Sequence, residues 1–220
     1  MNLQCYDEDF VTELCRICEK RRPRRYCPGI HGDICSQCCG EERENTVDCP
    51  FDCSYLMEAR RHEKLPDLTP EDIPNKDIRV TEGFLRDREP LVIATGRIVF
   101  EAGVQVPGAV DSDVREALES LIQTYRTLET GLIYESRPAN PIAAGVQQIF
   151  DQRMQAFREA ATQQAGMSVI RDSEILGVLA FLQRLALQHN NGRRKGRAFL
   201  DMLRGFLPPE PPPAASNLVA

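Results

Sequence analysis

Tryptophan is absent from this chain of 220 residues, and aromatic residues make up only 6% of it. A broad aromatic platform for stacking bases or sugars is excluded on that ground. Positive charge is not in excess either: the formal net charge is −6. That balance argues against a surface that serves as one continuous nucleic-acid footprint. Long apolar runs are missing as well. The most apolar stretches, around Leu91 to Val99 and Ile175 to Leu187, are interrupted by Arg97 and Arg184. Both fall short of the roughly 20 residues that a membrane span needs. The first residues, MNLQCYDEDF, are acidic where a targeting leader is basic, and no apolar segment follows them. A cytoplasmic protein without membrane association is the expectation. The G-x-S-x-G, P-loop, G-x-G-x-x-G, H-E-x-x-H and H-x-E…C-x-x-C patterns are all lacking, so no residues stand out to carry catalysis.

Beyond Cys53 there is no cysteine at all, which concentrates attention on the nine before it. In a reducing compartment, clustered thiols are metal ligands more often than disulfides. Cys15-x2-Cys18, Cys27-x3-His31, Cys35-x2-Cys38 followed at once by Cys39, and Cys49-x3-Cys53 make four ligand pairs. A tight Cys-x2-Cys turn points two sulfurs the same way, and two such pairs complete a tetrahedral zinc shell. The set therefore predicts two zinc ions. An interleaved scheme puts Cys15, Cys18, Cys35 and Cys38 on one ion and Cys27, Cys49 and Cys53 on the other. Either Cys39 or His31 completes the second shell, and a sequential pairing of the first four with the last four is the alternative. Cys39 lies about 100° round a helix from Cys38, so the two suit neighbouring ions rather than one. Cys5 stands apart as a bystander thiol. So short a module with few large apolar side chains cannot hold a core unaided, whereas structural zinc contributes roughly 10–16 kcal/mol per ion. Four thiolates would also close the shell, leaving no open position for catalysis.

The runs Tyr26-Cys27-Pro28, Ile34-Cys35-x2-Cys38-Cys39-Gly40-x2-Arg43 and Cys49-Pro50-x-Asp52-Cys53-x-Tyr55-Leu56 carry a resemblance. They are similar to the signature of a family of uncharacterised bacterial proteins with an N-terminal cysteine-rich module and a helical C-terminal region. That family has eight cysteines and no histidine at the place of His31, which implies Cys39 as the eighth ligand. In spacing alone, the interleaved pairs also resemble cross-braced zinc fingers of the MYND and HIT types. Those fingers are mostly protein-binding, but the resemblance implies zinc and leaves the biological role open; the closed ligand set, the acidic balance and the lack of a catalytic pattern make a protein partner the expectation.

The rest of the chain reads as mostly α. An arm over 1–14 precedes the zinc module at 15–64, and a Pro-rich linker at 65–76 leads to a bundle of four to five helices at 77–207. A Pro-rich tail at 208–220 reads as disordered. Apolar residues at helical spacing run from Phe84 to Ala102, with Pro90 and Gly96 as expected kinks. Asp113 with Glu116 resembles a capping box opening the next helix. Asn140 and Pro141 start a third, for which Gly166 is a plausible stop. Ser173 to His189 and Ala198 to Phe206 complete the set.

Two basic runs are the candidate anion contacts. Arg21, Arg22, Arg24 and Arg25 lie between the first ligand pairs, where guanidinium groups offset the negative charge of an all-thiolate site. Arg193, Arg194, Lys195 and Arg197 follow a helix end, where cations are favoured electrostatically. A nucleic-acid-binding regulator using both runs is the rival to a protein-binding adaptor. Glu58 and His62 would share a helix face, which reads as exposed surface. Tyr125, Tyr134 and Glu135 could line a pocket, although Tyr125 is in phase with the apolar stripe.

Overall fold

The computed structural model describes residues 14–131, 134–165 and 170–207. The chain divides into two compact units. The first extends to Glu63 and includes the short segment Arg193–Lys195; the second holds the remainder from Lys64.

The first unit is small and irregular. A two-stranded antiparallel hairpin, β1 (Arg25–Cys27) and β2 (Gly32–Ile34), pairs Tyr26 with Asp33 and Cys27 with Gly32. Two short helices follow, α1 (Ser36–Glu42) and α2 (Ser54–Arg61). Both begin immediately after a cysteine. Cys35 is the N-cap of α1, and its sulfur accepts the Cys38 amide at 3.4 Å; Cys53 is the N-cap of α2. Apart from the cysteines, the buried apolar residues here are Ile34, Val47 and Leu56. Glu44, also buried, forms an ion pair with Arg60 at 2.6 Å. At Gly29 a Cβ would stand 2.5 Å from the carbonyl oxygen of Asp48 and 2.7 Å from Val47. Only glycine allows the hairpin turn to press this closely against the strand of chain leading to Cys49.

The second unit is helical: α3 (Glu82–Asp87), α4 (Glu89–Gln105), α5 (Asp111–Glu129), α6 (Pro141–Ala165), α7 (Asp172–Gln188) and α8 (Ala198–Phe206). That is six helices among the described residues, where four to five were expected. The apolar run from Phe84 to Ala102 is two helices, because the chain leaves helical geometry at Arg88 and Pro90 opens α4 in its first turn. Proline lacks the amide that a continuous helix would need there, yet suits a helix start. Gly96 does not break α4, which runs through it. The start of α5 also differs from the capping-box reading: the helix begins at Asp111, and Asp113 accepts the Val110 amide at 2.9 Å. Glu116 instead accepts the Asn140 amide across the loop at 3.2 Å. The starts of α6 and α8 fall where the sequence places them. Gly166 as a stop, the tail at 208–220, Cys5 and nearly all of the arm lie outside the described residues.

Val114, Leu118, Leu121, Ile122 and Tyr125 form the buried stripe of α5, which packs on Ile175, Leu179 and Leu182 of α7. Leu91, Ile98, Val99 and Ala102 of α4, with Val146, Phe150 and Met154 of α6, enclose the same core. Gly103 lets α8 approach α4, since a Cβ there would stand 2.7 Å from Leu200. The linker is not free along its whole length. Asn75 donates to Gln183 at 2.8 Å and accepts from Arg126 at 2.8 Å, and its carbonyl accepts from Arg184 at 2.9 Å.

Asp111 serves two helices at once. It opens α5, and its buried carboxylate accepts the amides of Phe199 and Leu200 at 2.8 and 3.2 Å, satisfying the start of α8. Removing it strands two buried donors, each of which costs on the order of 1–3 kcal/mol. Asp111→Ala is expected to destabilise the helical unit by about 2–4 kcal/mol in urea unfolding followed by far-UV circular dichroism. An unchanged midpoint would show that the carboxylate does not hold α8.

Candidate metal centre

Four sulfurs converge in the first unit. The Sγ atoms of Cys15, Cys18, Cys35 and Cys38 all lie within 4.8 Å of one another. Three of these cysteines are buried and Cys18 is half-buried; none is in a disulfide. A tetrahedral shell with bonds near 2.3 Å places its sulfurs about 3.8 Å apart, so a contraction of about 1 Å at most would seat an ion. The cluster can hold a metal ion.

Local structure explains how two distant pairs meet. The first pair sits in a turn closed by the Glu19 amide on the Cys15 carbonyl at 2.7 Å, with Glu19 in the left-handed region at φ 51°. The Cys15 amide donates to Arg21 O and the Arg16 amide to Asp33 O, laying this turn beside β2. The second pair straddles the start of α1. Its Cys35 amide donates to Cys15 Sγ at 3.2 Å, a direct link between the pairs. These four are the residues that the interleaved scheme puts on one ion.

Electrostatics divides the four thiols. Burial works against ionising Cys15, but the amides of Cys18, Cys35 and Ile17 outweigh it and pull its thiol down to about 6. The amide of Cys38 lowers Cys35, with help from Arg21. Burial pushes Cys38 up to about 12, and its neighbouring sulfurs push the same way. Cys15 and Cys35 are thus favoured as thiolates and Cys38 as a thiol, whose proton a divalent cation would displace.

The arginines among the ligands face sulfur. Arg21 Nη1 lies 3.3 Å from Cys35 Sγ and 3.8 Å from Cys38 Sγ. Arg25 and Arg43 approach Cys39 Sγ at 3.7 and 3.9 Å, and Arg25 also stacks over Tyr55 at 4.1 Å. Arg22 and Arg24 stand exposed. In the second basic run, Arg193 donates to the Arg43 carbonyl at 2.6 Å and the Lys195 amide to the Glu44 carbonyl at 2.7 Å, both inside the first unit. Arg194 is exposed, and Arg197 is the N-cap of α8.

The remaining ligand candidates gather in the same core without closing a second tetrad. Cys27 and Cys49 are buried, with Cys39 and Cys53 packed against them. Burial raises the Cys49 thiol, and the nearby charges of Cys27, Glu44 and Cys53 add to that. His31 is exposed at the hairpin turn, in the left-handed region at φ 50°. Glu58 and His62 form an exposed pair at 3.2 Å on α2, and Tyr125 is core while Tyr134 is exposed. The hairpin, the close approach at Gly29, the Glu44–Arg60 pair and the role of Arg43 were not read from the sequence. The signal available was the run of turn formers between Cys27 and Ile34.

A scan against protein-family models, a search of curated proteins and a search of solved structures each find no match to this chain. The case for a metal therefore rests on the four sulfurs themselves. No helix among the described residues is long and apolar enough to cross a membrane.

Groups that hydrogen-bond metal ligands orient them and set their basicity, and removing one commonly costs about 10–100-fold in affinity. Arg21→Ala is expected to weaken metal binding by about that factor in chelator competition, whereas Arg22→Ala leaves it unchanged. Equal effects at the two positions would make the Arg21 contacts incidental.

Proposed function

We propose that this protein is a zinc-dependent binding module with no catalytic role, in which two structural zinc ions hold a protein-docking surface. The convergence of Cys15, Cys18, Cys35 and Cys38 carries this reading. Four protein sulfurs inside a largely buried cluster leave no coordination position for water or substrate, which favours a structural ion. Soft thiolate donors in a tetrahedral set favour zinc among the common divalent ions.

The second ion takes Cys27, Cys39, Cys49 and Cys53. Cys39 is preferred to His31 because its sulfur is half-buried and lies beside Arg25 and Arg43, while His31 is exposed. Protein is preferred to nucleic acid as the partner. Arg21 and Arg25 are directed at sulfur and Arg193 at a backbone carbonyl, which leaves a thin basic surface on an acidic chain. A cytoplasmic setting fits the free thiols of the tetrad.

Cobalt exchange tests the metal part. Two ions per chain with intense thiolate-to-cobalt charge transfer are expected, falling to one in Cys39→Ser and staying at two in His31→Ala. A stoichiometry near zero sinks the proposal. Affinity capture with the intact chain and with a Cys15→Ser/Cys18→Ser variant tests the partner part. A stoichiometric protein lost in the variant is expected, and recovery of a specific nucleic acid in its place would overturn it.

A further inference from the structure

Helix α4 is apolar on every side: of its 17 residues only Glu89, Arg97 and Glu101 are charged. A helix of that composition is normally enclosed all round. Here one side alone is enclosed. Leu91, Ile98, Val99 and Ala102 face the core, whereas on the opposite side Ile93 and Phe100 are half-buried and Val104 is 44% exposed.

The uncovered side is a ridge between two hollows. Glu89, Ile93 and Arg97 repeat at four-residue spacing and so stand in one row along the helix. On one flank a cavity of about 750 Å³ opens toward α7 and α8, with Leu85, Val92, Leu185 and Met202 in its walls. Phe206, 73% exposed, completes that wall. On the other flank a cavity of about 730 Å³ opens toward α6, lined by Pro90, Ala94, Ile98, Ala156 and Phe157. Glu89 and Ile93 border both cavities. A ridge beside a groove is the shape that packs helix on helix.

The row carries opposite charges at its ends. Glu89 is exposed and has no ion-pair partner among the described residues. Arg97 stands about 12 Å further along the helix, too far away to pair with it. Arg97 already has a contact within the chain, but the five donors of a guanidinium leave room for a second acceptor. An apolar centre with an acid at one end and a base at the other is complementary to itself when turned end for end.

We propose that this face binds a second copy of the chain, with the two α4 helices antiparallel. Ile93 of each copy enters the hollow beside the other's ridge, and Glu89 of each copy meets the other's Arg97. The two-fold axis makes every such contact twice. A membrane surface fits the face less well, because interfacial helices are rich in bases and this one sets two carboxylates against a single arginine.

The test follows the full metal-loaded chain by sedimentation velocity, over a concentration series up to about 500 µM. A reversible shift from 24.8 kDa toward twice that mass is expected. Glu89→Arg and Arg97→Glu each set like charges opposite one another at two places, and each is expected to weaken self-association by about tenfold or more. Mixing the two variants restores opposite charges at both places, so the mixture associates where neither variant does alone. Ile93→Glu is expected to weaken association as much as either reversal. Unchanged far-UV circular dichroism shows that the helices of each variant are intact; should Arg97→Glu fail that check, Glu89→Arg and Ile93→Glu decide the matter. Unchanged association in either of these two, or a mixture of folded variants that associates no better than its components, overturns the proposal. So does a wild-type chain that stays monomeric, whether it floats with lipid vesicles or dimerises only when residues 208–220 are removed, since those results give the face to a membrane or to the tail.

Discussion

Four sulfur atoms held within 4.8 Å of one another are the constraint on which the first unit depends. Four thiolates cannot share that space without a cation, and four thiols would waste it, since sulfur packs no better there than a branched aliphatic side chain. The split between a lowered Cys15 and a raised Cys38 expresses the conflict directly: backbone amides can stabilise part of the negative charge but not all of it. An ion resolves it. On this view the hairpin, the turn at Cys15 and the start of α1 are devices for bringing sulfur and N–H groups to one point. The apolar residues Ile34, Val47 and Leu56 seal the arrangement; they are too few to produce it.

The same requirement gives the arginines their place. Four thiolates around a divalent ion would carry a net charge of about −2, and desolvated charge of that size calls for donors close at hand. Arg21 supplies them on one side, while Arg25 and Arg43 converge on Cys39 on the other. The alternation of β1 makes this possible. Arg25 and Cys27 face the sulfur core and Tyr26, 56% exposed, faces solvent. A run of basic residues that looks like a phosphate grip in one dimension becomes, once folded, two groups, Arg21 and Arg25, whose guanidiniums reach sulfur, and two, Arg22 and Arg24, that stand exposed.

How much of this was legible depended on how local each signal was. Each of the pairs Cys15–Cys18 and Cys35–Cys38 could be read from spacing because a Cys-x2-Cys turn is self-contained, whereas which pair joins which stayed open between the interleaved and sequential schemes. Helix α8 was legible to the residue, since its apolar face and flanking turns repeat over only nine positions. The boundary between α3 and α4 was not, because apolar residues keep helical spacing across Arg88 even where the backbone does not. Three-residue strands show no alternation to read, so the hairpin was missed. Long-range polar contacts left no trace either. Nothing in the order of residues announces that Asp111 will hold Phe199 and Leu200, or that Glu44 will meet Arg60.

The two units meet buried charge with different donors. Around the sulfur cluster the chain brings guanidinium groups, Arg21 to Cys35 and Cys38, and Arg25 and Arg43 to Cys39. In the helical unit the buried carboxylate of Asp111 is met by the backbone amides of Phe199 and Leu200 instead. Hydration lost on burial has to be replaced by donors of one kind or the other, and a carboxylate at a helix start finds them ready-made while a cluster of four sulfurs finds too few.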